Sequence, residues 1–329
     1  MNRRTRQSTL VLLCLSAGVA LAQRADPPVS DRFSLAIVRR DGVMLPFAAY
    51  DGRRWSTPWP TFLQYLEVPI TLDAVPARWW GGKTPADWAL WLTGGGRQRI
   101  QPSAPTVLSV QCQRRIGIRT DYRSIEPVPP VLVEPFPKDG LAVSGNVPIE
   151  PIEVVDHGSP DWPLLAVLLL PSADAAEETT LKEIGTASGR WKHPVKRDDR
   201  RKVPLQLEAW YRAPMDKPGW SLSYVELVKR YPVRAEDKEC GLETFISGWV
   251  QISERPAETR YELTAKIVYC DRNAASYMLP LGRLRVDGRL HWIYQMSGWD
   301  HEWYEVLEVA PGRLRYTAEY WGGSRGRCG

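Results

Sequence analysis

From Val203 to the C-terminus the chain reads as a succession of extended segments. These are Leu205–Tyr211, Trp220–Tyr231, Leu242–Ile252, Arg260–Cys270, Met278–Val286, Leu290–Met296, Trp303–Val309 and Arg313–Trp321. In the last, Arg313, Arg315, Thr317 and Glu319 alternate with Leu314, Tyr316, Ala318 and Tyr320, the period of a half-buried strand. Strands in such a series bury their apolar faces by pairing into antiparallel sheets. The expected fold is therefore mainly β: an antiparallel β-sandwich or barrel-like C-terminal region.

Two hairpins are specific enough to carry a register. A turn centred on Pro256 pairs residues whose numbers sum to 512, which places Phe245 and Trp249 on one face with Leu263, Ile267 and Tyr269. At Asp287-Gly288-Arg289 a three-residue loop sets Val286 opposite Leu290 and Leu284 opposite Trp292. A two-residue loop sets Leu284 against His291 and breaks the pattern, so the longer or bulged turn is expected. Trp249 and Trp292 then belong to the core.

Residues 23–126 read as a smaller β-rich region. Phe33–Val38 and Val43–Tyr50 are strands, and Asp41-Gly42 and Asp51-Gly52 are turn dipeptides. Pro46 demotes its strand to an edge or marks a bulge. Thr84-Pro85-Ala86-Asp87 starts a short helix that Gly94-Gly95-Gly96 ends, and Val107–Thr120 is a long strand. Residues 127–161 are rich in proline and read as an extended surface connector, with the C-terminal domain at 162–329. Trp162–Leu170 is a continuous apolar run whose length suits a central strand buried on both faces. Residues 172–202 carry charge clusters and read as a surface excursion with a helical turn near Ala175–Glu183.

The first 22 residues have the pattern of a Sec-type signal peptide. Arg3, Arg4 and Arg6 precede the apolar stretch Thr9 to Val19, and Ala20-Leu21-Ala22 is an A-x-A cleavage site. The expected location is periplasmic or secreted, with no transmembrane segment after cleavage. Removing 1–22 takes three arginines and no acid from 43 basic and 38 acidic residues. The net charge falls from +5 to +2, which gives no basis for nucleic-acid binding. Four cysteines remain, an even count that favours two disulfides in an exported chain. The hairpin register favours Cys240–Cys270, which leaves Cys112 for Cys328. No C-x-x-C pair supports zinc, and no P-loop or G-x-G-x-x-G supports a nucleotide cofactor, so neither metal nor cofactor is expected.

Tryptophan is the unusual component, with 15 Trp against 5 Phe. Indole faces stack on sugar rings, and Trp55, Trp59, Trp79, Trp80, Trp299 and Trp303 lie nearest the expected loops. These six are the candidate ligand-binding residues; core filling is the competing role. Asp300-His301-Glu302 offers acid and base groups in a row for a hydrolase, if its carboxylates have glycosidase spacing. Gly322-Gly323-Ser324-Arg325-Gly326 matches a nucleophile elbow, but no Asp or His follows it. The basic run Lys192–Lys202 suits anionic polymers or, more simply, a solvated loop. The expected function is non-catalytic binding of a glycan, peptidoglycan or another envelope protein through tryptophan-rich loops. A secreted hydrolase and an assembly factor without a small ligand are the alternatives.

Overall fold

The computed structural model describes residues 32–321 apart from 62–68, 70, 83, 86, 111–112, 131–134, 190, 235–240, 270–271 and 299–300. The expected signal peptide, Cys112, Cys240, Cys270, Cys328, Trp299, Asp300 and the segment 322–326 lie outside the described residues.

The chain is mainly β and its sheets are antiparallel. The first sheet holds β1 (Phe33–Arg39), β2 (Val43–Tyr50), β3 (Trp55–Ser56), β4 (Trp88–Leu92), β5 (Arg97–Ile100), β6 (Pro102–Val110), β7 (Gln113–Thr120) and β8 (Lys138–Ser144). Its order is β5-β4-β8-β1-β2-β7-β6, with β3 also paired to β2. The second sheet holds β9 (Glu153–Val154), β10 (Gln206–Pro214), β11 (Trp220–Arg234), β12 (Gly241–Ser253) and β13 (Arg260–Tyr269), in order β13-β12-β11-β10-β9. The third is a meander of β14 (Tyr277–Val286), β15 (Arg289–Ser297), β16 (Glu302–Ala310) and β17 (Arg313–Trp321). The α-helices among the described residues are α1 (Trp162–Ser188) and α2 (Arg197–Arg200).

Three apolar clusters define the layers. One joins Leu35, Ile37, Phe47 and Trp88 of the first sheet to Leu284, Ile293, Tyr304 and Val306 of the third. A second joins Leu222, Tyr224 and Trp249 of the second sheet to Trp292, Tyr294, Leu307 and Val309 of the third. The last joins Val225, Ile246 and Val250 of the second sheet to Leu165, Leu169 and Ala173 of α1. The layer order is first sheet, third sheet, second sheet, α1. The third sheet is therefore covered on both faces, and every residue of β15 after Arg289 is buried.

The apolar run 162–170 is a correction: it opens a 27-residue helix and forms no strand. Leu165, Leu169, Ala173 and Ala176 are buried at helical spacing, Pro163 sits in the first turn, and Gly189 closes the C-terminus in the left-handed region. The run is rich in leucine and leads into the strong helix formers Ala173–Glu178, so propensity outweighs the strand-like length. The helix also takes in most of the expected surface excursion. It is tied down by a buried polar network: Lys229 Nζ lies 2.5 Å from Asp174 and 3.4 Å from Glu177, and Thr244 donates to Glu177 at 2.6 Å. The basic run beyond it is likewise engaged, with Arg200 buried against Glu178 at 2.7 Å.

Further corrections concern the N-terminal half. The short helix expected from Thr84 is absent among the described residues; strand β4 follows and pairs with β5 and β8. The nine residues between Thr84 and the glycine triplet are too few to sustain a helix without packing partners. The helical turns of this region are 3-10 turns at Leu72–Ala74 and Ala77–Trp80. The expected single strand 107–120 reverses between Val110 and Gln113 into β6 and β7. Within the proline-rich residues 127–161, Lys138–Ser144 form β8, a strand paired on both sides by β1 and β4. Pro46 does mark a bulge, since the β1–β2 register jumps there while β2 keeps partners on both sides.

Both hairpin registers are one residue from expectation. Phe245 lies opposite Lys266 and Trp249 opposite Glu262, because the connection carries an off-centre 3-10 turn at Pro256–Glu258. The β14–β15 turn has two residues, Asp287 and Gly288, both at positive φ, and Leu284 faces His291. The pattern argument against it fails because β15 is buried on both faces, so its polar residues His291, Gln295 and Ser297 mark no solvent side.

The helical reading has a direct check by denaturant unfolding. Leu169→Ala removes a side chain with 0% exposure and is expected to cost about 2–5 kcal/mol. Leu164→Ala, at 68% exposure, is expected to change stability by less than about 0.5 kcal/mol. Comparable losses at both positions would fit a strand buried on two faces instead.

Candidate functional site

The register of β12 on β13 decides which residues share a face. Ile246, Val250, Tyr261, Leu263 and Ala265 turn toward α1. Glu262, Thr264 and Lys266 turn the other way, with Phe245 and Trp249 opposite them. Gly248 permits this pairing, since a Cβ there would sit 2.1 Å from the Glu262 carbonyl oxygen.

On that side the second and third sheets bound an open cleft of about 260 Å³. Trp249, Tyr224 and Phe245 line it from the second sheet; Tyr294, Trp303 and Glu305 line it from the third; Tyr316 lines it from β17. Glu262, Thr264 and Lys266 supply a polar margin. The aromatic side is rigid. The Trp249 ring meets Tyr224, Trp292 and Tyr294 edge-on at centroid distances of 5.0, 5.3 and 5.4 Å. His301 stacks on Trp303 at 5.1 Å and 19°, and its Nε2 lies 3.3 Å from Ser276 Oγ.

Glu305 is the buried acid of the cleft. Burial raises its carboxyl above the usual range, against the hydrogen bonds donated by the Tyr294 hydroxyl and the Trp303 indole N–H. Glu226 lies on the face shared with Tyr224, opposite Ser247 of the cleft wall. Burial pushes its carboxyl up to about 8, although the Met278 N–H donates to it at 2.6 Å and Arg272 opposes the rise.

The six tryptophans of the sequence analysis divide sharply. Trp303 lines the cleft. Trp59 is 2% exposed, packs against Trp79 and Trp80 at 5.6 and 4.7 Å, and donates to the Ile116 carbonyl at 2.8 Å. Trp79 and Trp80 are buried in the same cluster. Trp55 is half-buried, packs beside Phe33, Tyr50 and His291, and lines a separate pocket. Of the acid–base triplet, His301 stands beside the cleft. Glu302 is 1% exposed, ion-paired with Lys138 and bonded by Tyr304, on the face of β16 opposite Glu305. Tyr294, Tyr316, Glu262, Lys266 and Glu305 are among the lining residues that the sequence did not propose for a site, and Trp249, expected in the core, lines it as well. The alternation of Glu262, Thr264 and Lys266 was the available signal.

The chain matches no family model, no curated protein and no solved structure. Among the described residues no helix is long and apolar enough to cross a membrane.

The raised carboxyl of Glu226 has a signed consequence for stability. Its folded value of about 8 exceeds the ordinary 4.5, so the folded state holds a proton that the unfolded chain has lost. That contribution is complete below 4.5 and disappears as pH rises through 8. Glu226→Gln keeps the acceptor for Met278. Its Tm, relative to the parent, is expected to rise steadily between about pH 5 and 8.5. Parallel Tm–pH curves would contradict the burial of this acid.

Proposed function

We propose that this is an exported envelope protein that binds a glycan without cleaving it, in the cleft between the second and third sheets. One observation carries the reading: Trp249, Trp303, Tyr294 and Tyr316 face a polar margin of Glu262, Thr264 and Lys266 across about 260 Å³. A sugar ring is apolar on its faces and hydroxylated at its edges, and this arrangement answers both. Rings held edge-to-face by their neighbours lose little entropy when a ligand arrives.

Export rests on the leader-like residues 1–22, with cleavage after Ala22 and a periplasmic or secreted product. Pairing of Cys240 with Cys270 is supported by the described pair Leu242–Tyr269 at the open end of the β12–β13 hairpin. Cys112 would then pair with Cys328. The hydrolase alternative has less support: the charge of Glu302 is held by Lys138, and Glu302 is not among the residues lining the cleft.

Co-sedimentation of the processed protein with peptidoglycan and insoluble polysaccharides tests the reading. Saturable binding is expected, and Trp303→Ala is expected to weaken it roughly tenfold, or about 1.4 kcal/mol. Trp80→Phe, in the core, is expected to lower Tm and leave the affinity unchanged. No binding to any glycan would overturn the proposal and favour an assembly role. Release of soluble sugar would replace it with the hydrolase.

A further inference from the structure

A second pocket, of about 360 Å³, lies on the other face of the third sheet, where β15–β17 meet the turn after β2. Its base is Glu308, whose side chain is 4% exposed. Three guanidiniums converge on this one carboxylate: Arg313 at 3.0 Å, Arg289 at 3.4 Å, and Arg315 in closer contact. All three are more than half exposed, so each keeps outward N–H donors. Burial works to raise the Glu308 carboxyl, yet Arg315 and Arg289 outweigh it and hold the group below its ordinary range.

Arg53 and Arg54 enter from the opposite wall beside Trp55. Arg54 reaches Asp51 at 3.5 Å; the Arg53 guanidinium has no ion-pair partner among the described residues. Among the lining residues, the four guanidiniums of Arg53, Arg54, Arg289 and Arg315 face two carboxylates, Glu308 and Asp287, the latter accepting from Tyr50. A concave site with two excess positive charges, presented as planar forks, suits a carboxylate, sulfate or phosphate group.

Tyr316 decides what carries that group. It stands on the edge strand β17, is 55% exposed, and lines both this pocket and the aromatic cleft. A chain of sugars seated in the cleft and passing over the sheet edge would bring its next substituent to the arginines. We propose that this pocket is an anion subsite and that the ligand is an acidic glycan, its ring in the aromatic cleft and its acidic group on Arg53, Arg289 and Arg315. The choice of a glycan rests on the function proposed above; the anion subsite does not. A lipid surface is less suited, because of the exposed large apolar side chains among the described residues Tyr316 alone lines the pocket, while Leu164 and Val167 lie on α1.

Calorimetry on the full chain tests this with four probes: a sulfated hexasaccharide, an oligogalacturonate of equal length, neutral maltohexaose and inorganic phosphate. Both acidic sugars are expected to bind more tightly than the neutral one, with affinity falling as salt rises from about 50 to 200 mM. The ratio between them tells sulfate from carboxylate preference. Arg289→Gln with Arg315→Gln is expected to weaken the acidic sugars by roughly tenfold or more and leave the neutral sugar unchanged. If that pair disturbs folding through Glu308, the exposed pair Arg53→Gln and Arg54→Gln is expected to give a smaller loss of the same kind. Acidic binding unchanged in both pairs overturns the subsite, while its loss in Trp303→Ala would leave the cleft reading standing. Acidic sugars or phosphate bound through the arginines, with Trp303→Ala silent, would support the subsite and overturn the cleft. Binding to phosphatidylglycerol vesicles but to no oligosaccharide would overturn the glycan.

Discussion

The third sheet is covered by the first sheet on one face and by the second on the other, so β15 and β16 place almost every side chain in a core. A strand in that position has no polar side, yet β16 carries Glu302, Glu305 and Glu308, all buried. Each buried carboxylate requires a partner, because an uncompensated charge in the interior costs several kcal/mol, on the order given for lost buried ion pairs. The three partners differ. Lys138 of β8 meets Glu302 and ties the first sheet to the third. Tyr294 and Trp303 hold Glu305 beneath the aromatic cleft. Arginines 289, 313 and 315 surround Glu308. One strand thereby fixes the joint between sheets and the base of both pockets.

The same burial explains what the sequence disclosed and what it concealed. Strands with one wet face announce themselves: the expected Arg313–Trp321 matches β17 to the residue, and the ends of all eight expected C-terminal segments lie within three residues of an observed strand's. Alternation cannot report register where both faces are dry, so the Asp287-Gly288 turn was read one residue too long. The run Trp162–Leu170 failed for the complementary reason. A continuous apolar stretch has no period, and only its leucine content and the Ala- and Glu-rich continuation pointed to a helix.

The site was legible only in part. Aromatic abundance pointed to tryptophan, and Trp303 does line the cleft, but Trp59 packs on Trp79 and Trp80 in the apolar cluster of the first sheet. Nothing in a single sequence tells a tryptophan that fills a core from one that lines its edge. The cleft depends on the β12–β13 register, one residue away from a turn centred on Pro256, which sends Glu262, Thr264 and Lys266 toward the aromatic wall. The arginine pocket joins the turn after β2 to β15–β17, a pairing across more than two hundred residues that local pattern does not encode.

The central position of the third sheet is tested most directly by amide hydrogen exchange on the intact chain, followed by mass spectrometry. Residues 289–297 and 302–310 of β15 and β16 are expected to be among the slowest in the molecule, opening only with global unfolding, while the edge strands β13 and β17 exchange through local opening. Exchange in β15 and β16 as fast as in those edges would contradict the layered account.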